Sequence, residues 1–332
     1  MKLSGYDHAT GRHCGSTSLA NLARFYDWGL DEETCFGLAS GLGFTFFELD
    51  DSPHRAFIGR PLSLERAFFH TLQIPHEEHE GGDWDETWAD VRARLDDGHP
   101  VLLFADIYDL DYFDTDTHFA PHSLLAVGYD DEGVYLSDSE FEEVQHLPTD
   151  RLRAAMSSRA FVPLKNRYLT VTDPELGTDL DVAIEEATVE MARSMLRPGG
   201  GRFDPGPVGV HGLAGIQRLV SDMASWTQLP DPAWTVRFAY QNVERRGTGG
   251  GAFRGLQRDF FRTVDHPFGD EVTEEMAAIA DDWSAVGATL KDASEADDGG
   301  ELRDGIDTAA GEIRQLADRE ARLYQSILDA TN

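Results

Sequence analysis

The chain has 332 residues, of which 61 are acidic and 28 basic, giving a net charge of −33; 41% are hydrophobic and 10% aromatic. That length suits two domains with sizeable cores, and that apolar content speaks against a disordered acidic tail. The charge speaks against nucleic-acid binding, which needs basic patches to displace counterions, and against anionic membrane surfaces.

The acidic excess is spread along the chain rather than gathered in a tail. Only Lys2, Lys165 and Lys291 are lysines. A dispersed surplus with few lysines predicts a surface adapted to high salt, where screening removes self-repulsion. Two cysteines, Cys14 and Cys35, are too few for a disulfide scaffold. The first 13 residues lack an apolar leader, and apolar runs such as Val101 to Phe104 are too short for a bilayer. The expectation is a cytoplasmic protein with reduced thiols.

In chain order, Leu19, Leu22, Phe25 and Tyr26 recur at helical spacing after Cys14-Gly15-Ser16-Thr17. Ser16 or Thr17 is the expected N-cap, which places Cys14 at or just before a helix N-terminus. Trp84 to Leu95 reads as an amphipathic helix stopped near Gly98-His99-Pro100. Strands are expected at Val101 to Ile107, Ser123 to Gly128, Val134 to Leu136 and Phe161 to Val171. The turn-rich Asp130-Asp131-Glu132-Gly133 makes the second and third a hairpin.

The linker falls near Thr172-Asp173-Pro174, and the rest reads as helical. Leu213 to Trp226, Met276 to Leu290 and Leu302 to Ile327 keep a 3.6-residue period, the last two as an antiparallel pair across Asp292 to Gly300. Gly199-Gly200-Gly201, with Pro198 and Pro205, marks a loop.

Three residues line up for thiol chemistry. Cys14 precedes a helix, His122 begins a strand, and Asp138 ends the next strand. A helix N-terminus favours a thiolate, an imidazole moves its proton, and a carboxylate orients the imidazole. The backbone N–H of Cys14 is a natural oxyanion donor. Against this, a free cysteine is most often a buried structural residue, which is the reading for Cys35.

The segments His13 to Leu22 and Cys35 to Phe44 resemble the N-terminal domain of the butirosin biosynthesis protein H family. So do Asp106-Ile107-Tyr108-Asp109-Leu110-Asp111-Tyr112, His118-Phe119-Ala120-Pro121-His122 and Val127 to Asp130. Arg246-Gly247-Thr248-Gly249-Gly250-Gly251-Ala252-Phe253-Arg254 resembles the helical domain that follows it in such proteins. The resemblance implies a haloarchaeal-type member with a papain-like cysteine fold over residues 1–170 and an all-α domain over 171–332, an α+β protein in sum. It implies acyl transfer from a carrier thioester to an amine through a Cys14 thioester. The implied partners are an acyl-carrier protein or small acyl-thioester donor and a small amine acceptor.

Cys14, His122 and Asp138 are then the catalytic residues, and hydrolysis by the same site or a non-catalytic binding module are the rivals. A papain-like enzyme has a Gln shortly before its cysteine; here no Gln precedes Gln73, leaving His8 or His13 as stand-ins. His13, Asp106, Tyr108 and His118 are candidate substrate-binding residues.

Asp106, Asp111, Asp114, Asp116, His118 and His122 form a metal-like cluster, discounted because aspartate is in surplus throughout. Gly247 to Gly251 lacks the Gly-Lys-Ser/Thr of a phosphate loop, so neither metal nor cofactor is expected. It reads as a tight turn between helices, with Arg246 and Arg254 able to face a cleft as carboxylate-binding groups. No Gly-x-Ser-x-Gly elbow points to a serine hydrolase.

Overall fold

The computed structural model describes residues 2–160, 163–197, 199, 201–203 and 206–331. The chain begins with α1 (Cys14–Phe25), α2 (Glu32–Leu38), β1 (Thr45–Glu48), β2 (Arg55–Ile58) and α3 (Leu64–Thr71). It continues with β3 (His76–His79), α4 (Trp84–Asp96), β4 (Val101–Ala105), β5 (His122–Tyr129), β6 (Gly133–Ser137), β7 (Gln145–Pro148), α5 (Thr149–Ser157) and β8 (Tyr168–Val171). After these come α6 (Leu180–Leu196), β9 (Val210–His211), α7 (Gly212–Met223), α8 (Pro232–Glu244), α9 (Arg254–Thr263), α10 (Asp270–Ser294) and α11 (Gly299–Ala330).

This mixed α/β chain forms two units: Met1–Cys35 with Gln73–Gly177, and Phe36–Leu72 with Thr178–Asn332. The chain passes between the units three times, at 35/36, 72/73 and 177/178, whereas the sequence reading placed one division at 170/171. Residues 36–72 join the second unit because Phe36 stacks on Phe253, Ser40 Oγ donates to Ala187 O, and Arg55 pairs with Asp222. None of those partners is near in sequence.

The first unit is built on an antiparallel sheet of order β3-β8-β4-β5-β6-β7. β4 (VLLFA) is buried at every position and β5 at all but its last, so both read as unbroken apolar runs rather than alternating ones. α1 and α4 pack on β5, and α5 packs on β4 and β6. The β5–β6 hairpin turns where Asp130 Oδ1 accepts from the backbone of Glu132 and Gly133, both at 3.0 Å. Observed β4 stops at Ala105, two residues short of the expected end, because Asp106 turns the chain into a short 3₁₀ turn by accepting from Tyr108 N. The last strand is Tyr168–Val171, shorter than expected; Phe161 and Val162 lie outside the described residues.

The second unit holds a three-stranded sheet of order β2-β1-β9 with the helices. From residue 178 onward the described residues are helical apart from β9 and connecting turns, so the helical expectation lacked only this strand. Pro198, Gly200 and Pro205 of the expected loop lie outside the described residues. α10 and α11 run antiparallel: Ala293 meets Gly305 near their turn, Trp283 Nε1 donates to Glu320, and Arg319 bonds Glu275.

The glycine-rich segment joins α8 to α9 as a tight turn. Gly249 through Phe253 all have positive φ, and a Cβ on Gly251 would lie 2.7 Å from Ala280 O. Arg254 is fully buried, its guanidinium bonded to both carboxylate oxygens of Glu320 at 2.9 and 3.0 Å. This corrects the cleft-facing reading of Arg254: an arginine whose fork is filled inside a core holds no substrate. Arg246 is partly buried, donates to Gln241 Oε1 and lies over the Phe238 ring. No helix among the described residues is long and apolar enough to cross a membrane.

Candidate active site

Cys14 is the first residue of α1, and the helix is capped by His13 rather than by Ser16 or Thr17. The His13 backbone is extended and its Nδ1 accepts from Ser16 N at 3.2 Å. Ser16 and Thr17 donate their hydroxyls instead to Glu32 Oε1, at 3.0 and 3.1 Å. The same carboxylate accepts from His13 N at 2.9 Å and Arg12 N at 3.0 Å. Gly11 is forced by this crowding, since a Cβ there would sit 2.1 Å from Thr17 Oγ1. The loop that delivers Cys14 is thus pinned by one half-buried carboxylate from α2. Glu32 escaped the sequence reading because no motif marks a contact spanning 15 to 20 residues.

His122 opens β5 opposite Ala105 of β4. Asp138 follows the last residue of β6, and the register Leu125↔Ser137 sets Asp138 diagonally from His122 on one face. His122 Nε2 and Asp138 Oδ2 are 2.9 Å apart, and both side chains are buried. The His122 side chain is also hydrogen-bonded to Cys14. The structure thus brings Cys14, His122 and Asp138 into one line.

The electrostatics follow. Burial alone pushes the Cys14 thiol up, but His13 and His122 outweigh it and hold its pKa well below the ordinary value. Burial pushes His122 down, yet Asp138 and Cys14 outweigh it and raise its pKa well above the usual range. Burial pushes Asp138 up, and His122, the Glu140 N–H and the Tyr112 hydroxyl bring it below the carboxylate range. Both shifts favour a thiolate facing an imidazolium, with a carboxylate behind it.

Aromatic rings close the polar line from water. Phe113 stands edge-on to His122 at 5.4 Å, Phe141 lies 5.0 Å from both Phe113 and Tyr112, and Tyr112 Oη donates to Asp138 Oδ2 at 2.9 Å. Tyr112 is a second residue the sequence reading left without a role.

The remaining candidates are placed as follows. His8 has both ring nitrogens engaged, with Ser137 Oγ and Phe141 O each at 2.7 Å, so it is not available as an oxyanion donor. His13 lies beside the Cys14 thiol. Asp106, Tyr108 and His118 come together: His118 Nδ1 is 2.8 Å from Asp106 Oδ2, and its ring stacks on Tyr108. Arg246 and Arg254 belong to the second unit.

The fold and site define a mixed α/β protein whose first unit carries a cysteine–histidine–aspartate line. Residues 13–139 match the family described as Butirosin biosynthesis protein H, N-terminal. Residues 150–327, more than half the chain, match the family described as Domain of unknown function (DUF4872), and the chain belongs to that family. No curated protein matches it. Among solved structures, one from Bacillus anthracis assigned to a C39-like peptidase is similar at a TM-score of 0.36 and 16% identity, covering 52% of this chain and 98% of that one.

Proposed function

We propose that the chain is a cysteine-dependent acyltransferase whose first unit is papain-like. Cys14 takes an acyl or aminoacyl group from a thioester, carried by a small thiol or an acyl-carrier protein, and passes it to a small amine. The observation that carries this reading is the Cys14–His122–Asp138 line: a buried cysteine at a helix N-terminus bonded to a buried histidine, with a carboxylate behind it.

In the first half, Cys14 Sγ attacks the thioester carbonyl. A new C–S bond forms, the donor's C–S bond breaks, and the leaving thiolate takes the proton from His122. The backbone N–H of Cys14 stabilises the developing oxyanion. One thioester replaces another at nearly equal energy, so positioning and charge stabilisation are the main contribution. In the second half, a neutral amine attacks acyl-Cys14, His122 takes the proton the nitrogen loses, an amide forms, and the cysteine leaves as its thiolate. Asp138 fixes the imidazole throughout.

The test is intact-protein mass spectrometry after incubation with acyl thioesters of N-acetylcysteamine. Wild type should gain one acyl mass on Cys14. Cys14→Ser and His122→Ala should gain none while staying folded, and Asp138→Asn should acylate slowly. Discharge to water rather than to added amines would make the protein an amidase or peptidase. No adduct with any donor, and a Cys14 no more reactive than Cys35, would leave a binding module in place of an enzyme.

A further inference from the structure

A second histidine–carboxylate pair stands at the same end of the sheet and has no part in the chemistry above. Asp106 directly follows Ala105, the β4 residue paired with His122. Its carboxylate is fully buried and accepts four donors: Tyr108 N at 3.2 Å, Phe119 N at 3.0 Å, Ser158 Oγ at 2.6 Å and His118 Nδ1 at 2.8 Å. Burial pushes Asp106 up, but these bonds outweigh it and keep the group ionised. Nδ1 is thus the ring nitrogen that donates to Asp106, and in the neutral imidazole the lone pair is at Nε2. No group among the described residues bonds that nitrogen.

The surroundings face outward. The His118 side chain is 48% exposed, and its ring lies 4.2 Å from that of Tyr108, itself 43% exposed. Phe119, next in the chain, reaches within 6.5 Å of the His122 ring and is tied to β4's end through Ile107 N to Phe119 O. Of the two imidazoles, His122 is buried and bonded to Cys14, and His118 is turned to solvent one residue before Phe119.

Acyl transfer to an amine has work for such a base. An aliphatic amine is an ammonium ion at neutral pH, since its pKa is about 10. It must lose one proton before it can attack and a second as the amide forms. The balance is R–NH3⁺ plus acyl-Cys14 giving amide, Cys14 thiolate and two protons. One proton restores the His122 imidazolium, and the other has no acceptor in the Cys14–His122–Asp138 line.

We propose that His118, oriented by Asp106, takes that first proton, binding the acceptor ammonium beside Tyr108 and delivering it as a free amine. The proposal rests on the acyl-transfer reading. His118 Nε2 accepts the ammonium N–H, the N–H bond breaks toward the ring, and the proton passes to solvent. Tyr108 offers its ring face to the cation.

The test separates the two half-reactions, using the N-acetylcysteamine thioester for acylation and then either ethylenediamine or hydroxylamine as acceptor. Hydroxylamine is largely unprotonated at neutral pH and needs no first base. His118→Asn keeps a donor where Nδ1 stood, so Asp106 stays satisfied, and removes the base. It should acylate at the wild-type rate, transfer to ethylenediamine about a hundredfold more slowly, and transfer to hydroxylamine nearly normally. Raising the pH, which deprotonates the amine in solution, should narrow the defect. His118→Ala should regain ethylenediamine transfer on adding imidazole. Wild-type transfer to both amines by His118→Asn, or equal loss with both, overturns the assignment. Absence of acyl-Cys14 in the wild type fells the acyl-transfer reading first and this one with it.

Discussion

Cys14 and Cys35 are both buried thiols of the first unit, and desolvation raises the pKa of each. Near Cys35 the carboxylates of Asp31, Glu32 and Glu33 push in the same direction, so it stays protonated. Near Cys14 two imidazoles reverse the sign. The lowered pKa keeps thiolate present through neutral pH and removes it only as pH falls through the folded-state value. Alkylation by iodoacetamide should therefore be fast and nearly pH-independent at Cys14 from neutral pH upward, while Cys35 stays slow; peptide mapping reads both. Equal rates would remove the basis for a nucleophile. Glu32→Gln sharpens the same measurement. Coulomb's law alone says that removing a negative charge nearby should speed Cys14. An amide, however, keeps one acceptor oxygen and sets an NH2 donor where Oε2 accepts from Arg12 N, which loosens the loop before Cys14, so slower alkylation at every pH is expected. Cys14, His122 and Asp138 could be picked from chain order and family resemblance because their chemistry is local to element ends. The histidine cap could not, since Ser, Thr, Asp and Asn lead at that position and two of them stood just downstream.

At the scale of elements, period and turn chemistry carried most of the information. α10 and α11 keep their apolar stripes for 25 and 32 residues, too long to be mistaken for strands. The β5–β6 hairpin announced itself through its aspartate-glycine turn. Arg254 was misplaced because arginine is almost never fully buried unless paired, and its partner Glu320 lies 66 residues on. Trp283 Nε1 and Tyr324 Oη also donate to Glu320, at 2.7 and 2.9 Å, so four donor groups from three elements converge on one carboxylate. Glu320→Ala leaves an uncompensated buried guanidinium and should cost about 3–5 kcal/mol in denaturant unfolding. Replacing both members, as Arg254→Met with Glu320→Leu, should cost clearly less, because no charge is then left alone. If single and double variants lose equally, the network acts through packing rather than charge.

Over the whole molecule, charge balance decides how salt acts. Salt weakens surface ion pairs and also weakens repulsion between unpaired like charges, so the two effects oppose. Several described pairs are exposed, such as Lys165–Glu80 and Arg218–Glu48, and pairs of that kind are worth about 0–1 kcal/mol each. The repulsive side is larger: with 61 acidic and 28 basic residues, even complete pairing leaves 61 − 28 = 33 carboxylates unmatched. At 0.1 M salt the screening length is about 10 Å, long enough for neighbouring carboxylates on one surface to feel each other; at 1 M it is about 3 Å. Relief of repulsion should therefore win. The melting temperature should rise steadily from 0.1 to 2 M KCl, whereas an equal concentration of sucrose, which stabilises without screening, should not reproduce the steep early part of that rise. A melting temperature that is flat or falls over the first molar of KCl would show that paired charges dominate, and the salt-adapted surface would have to be given up.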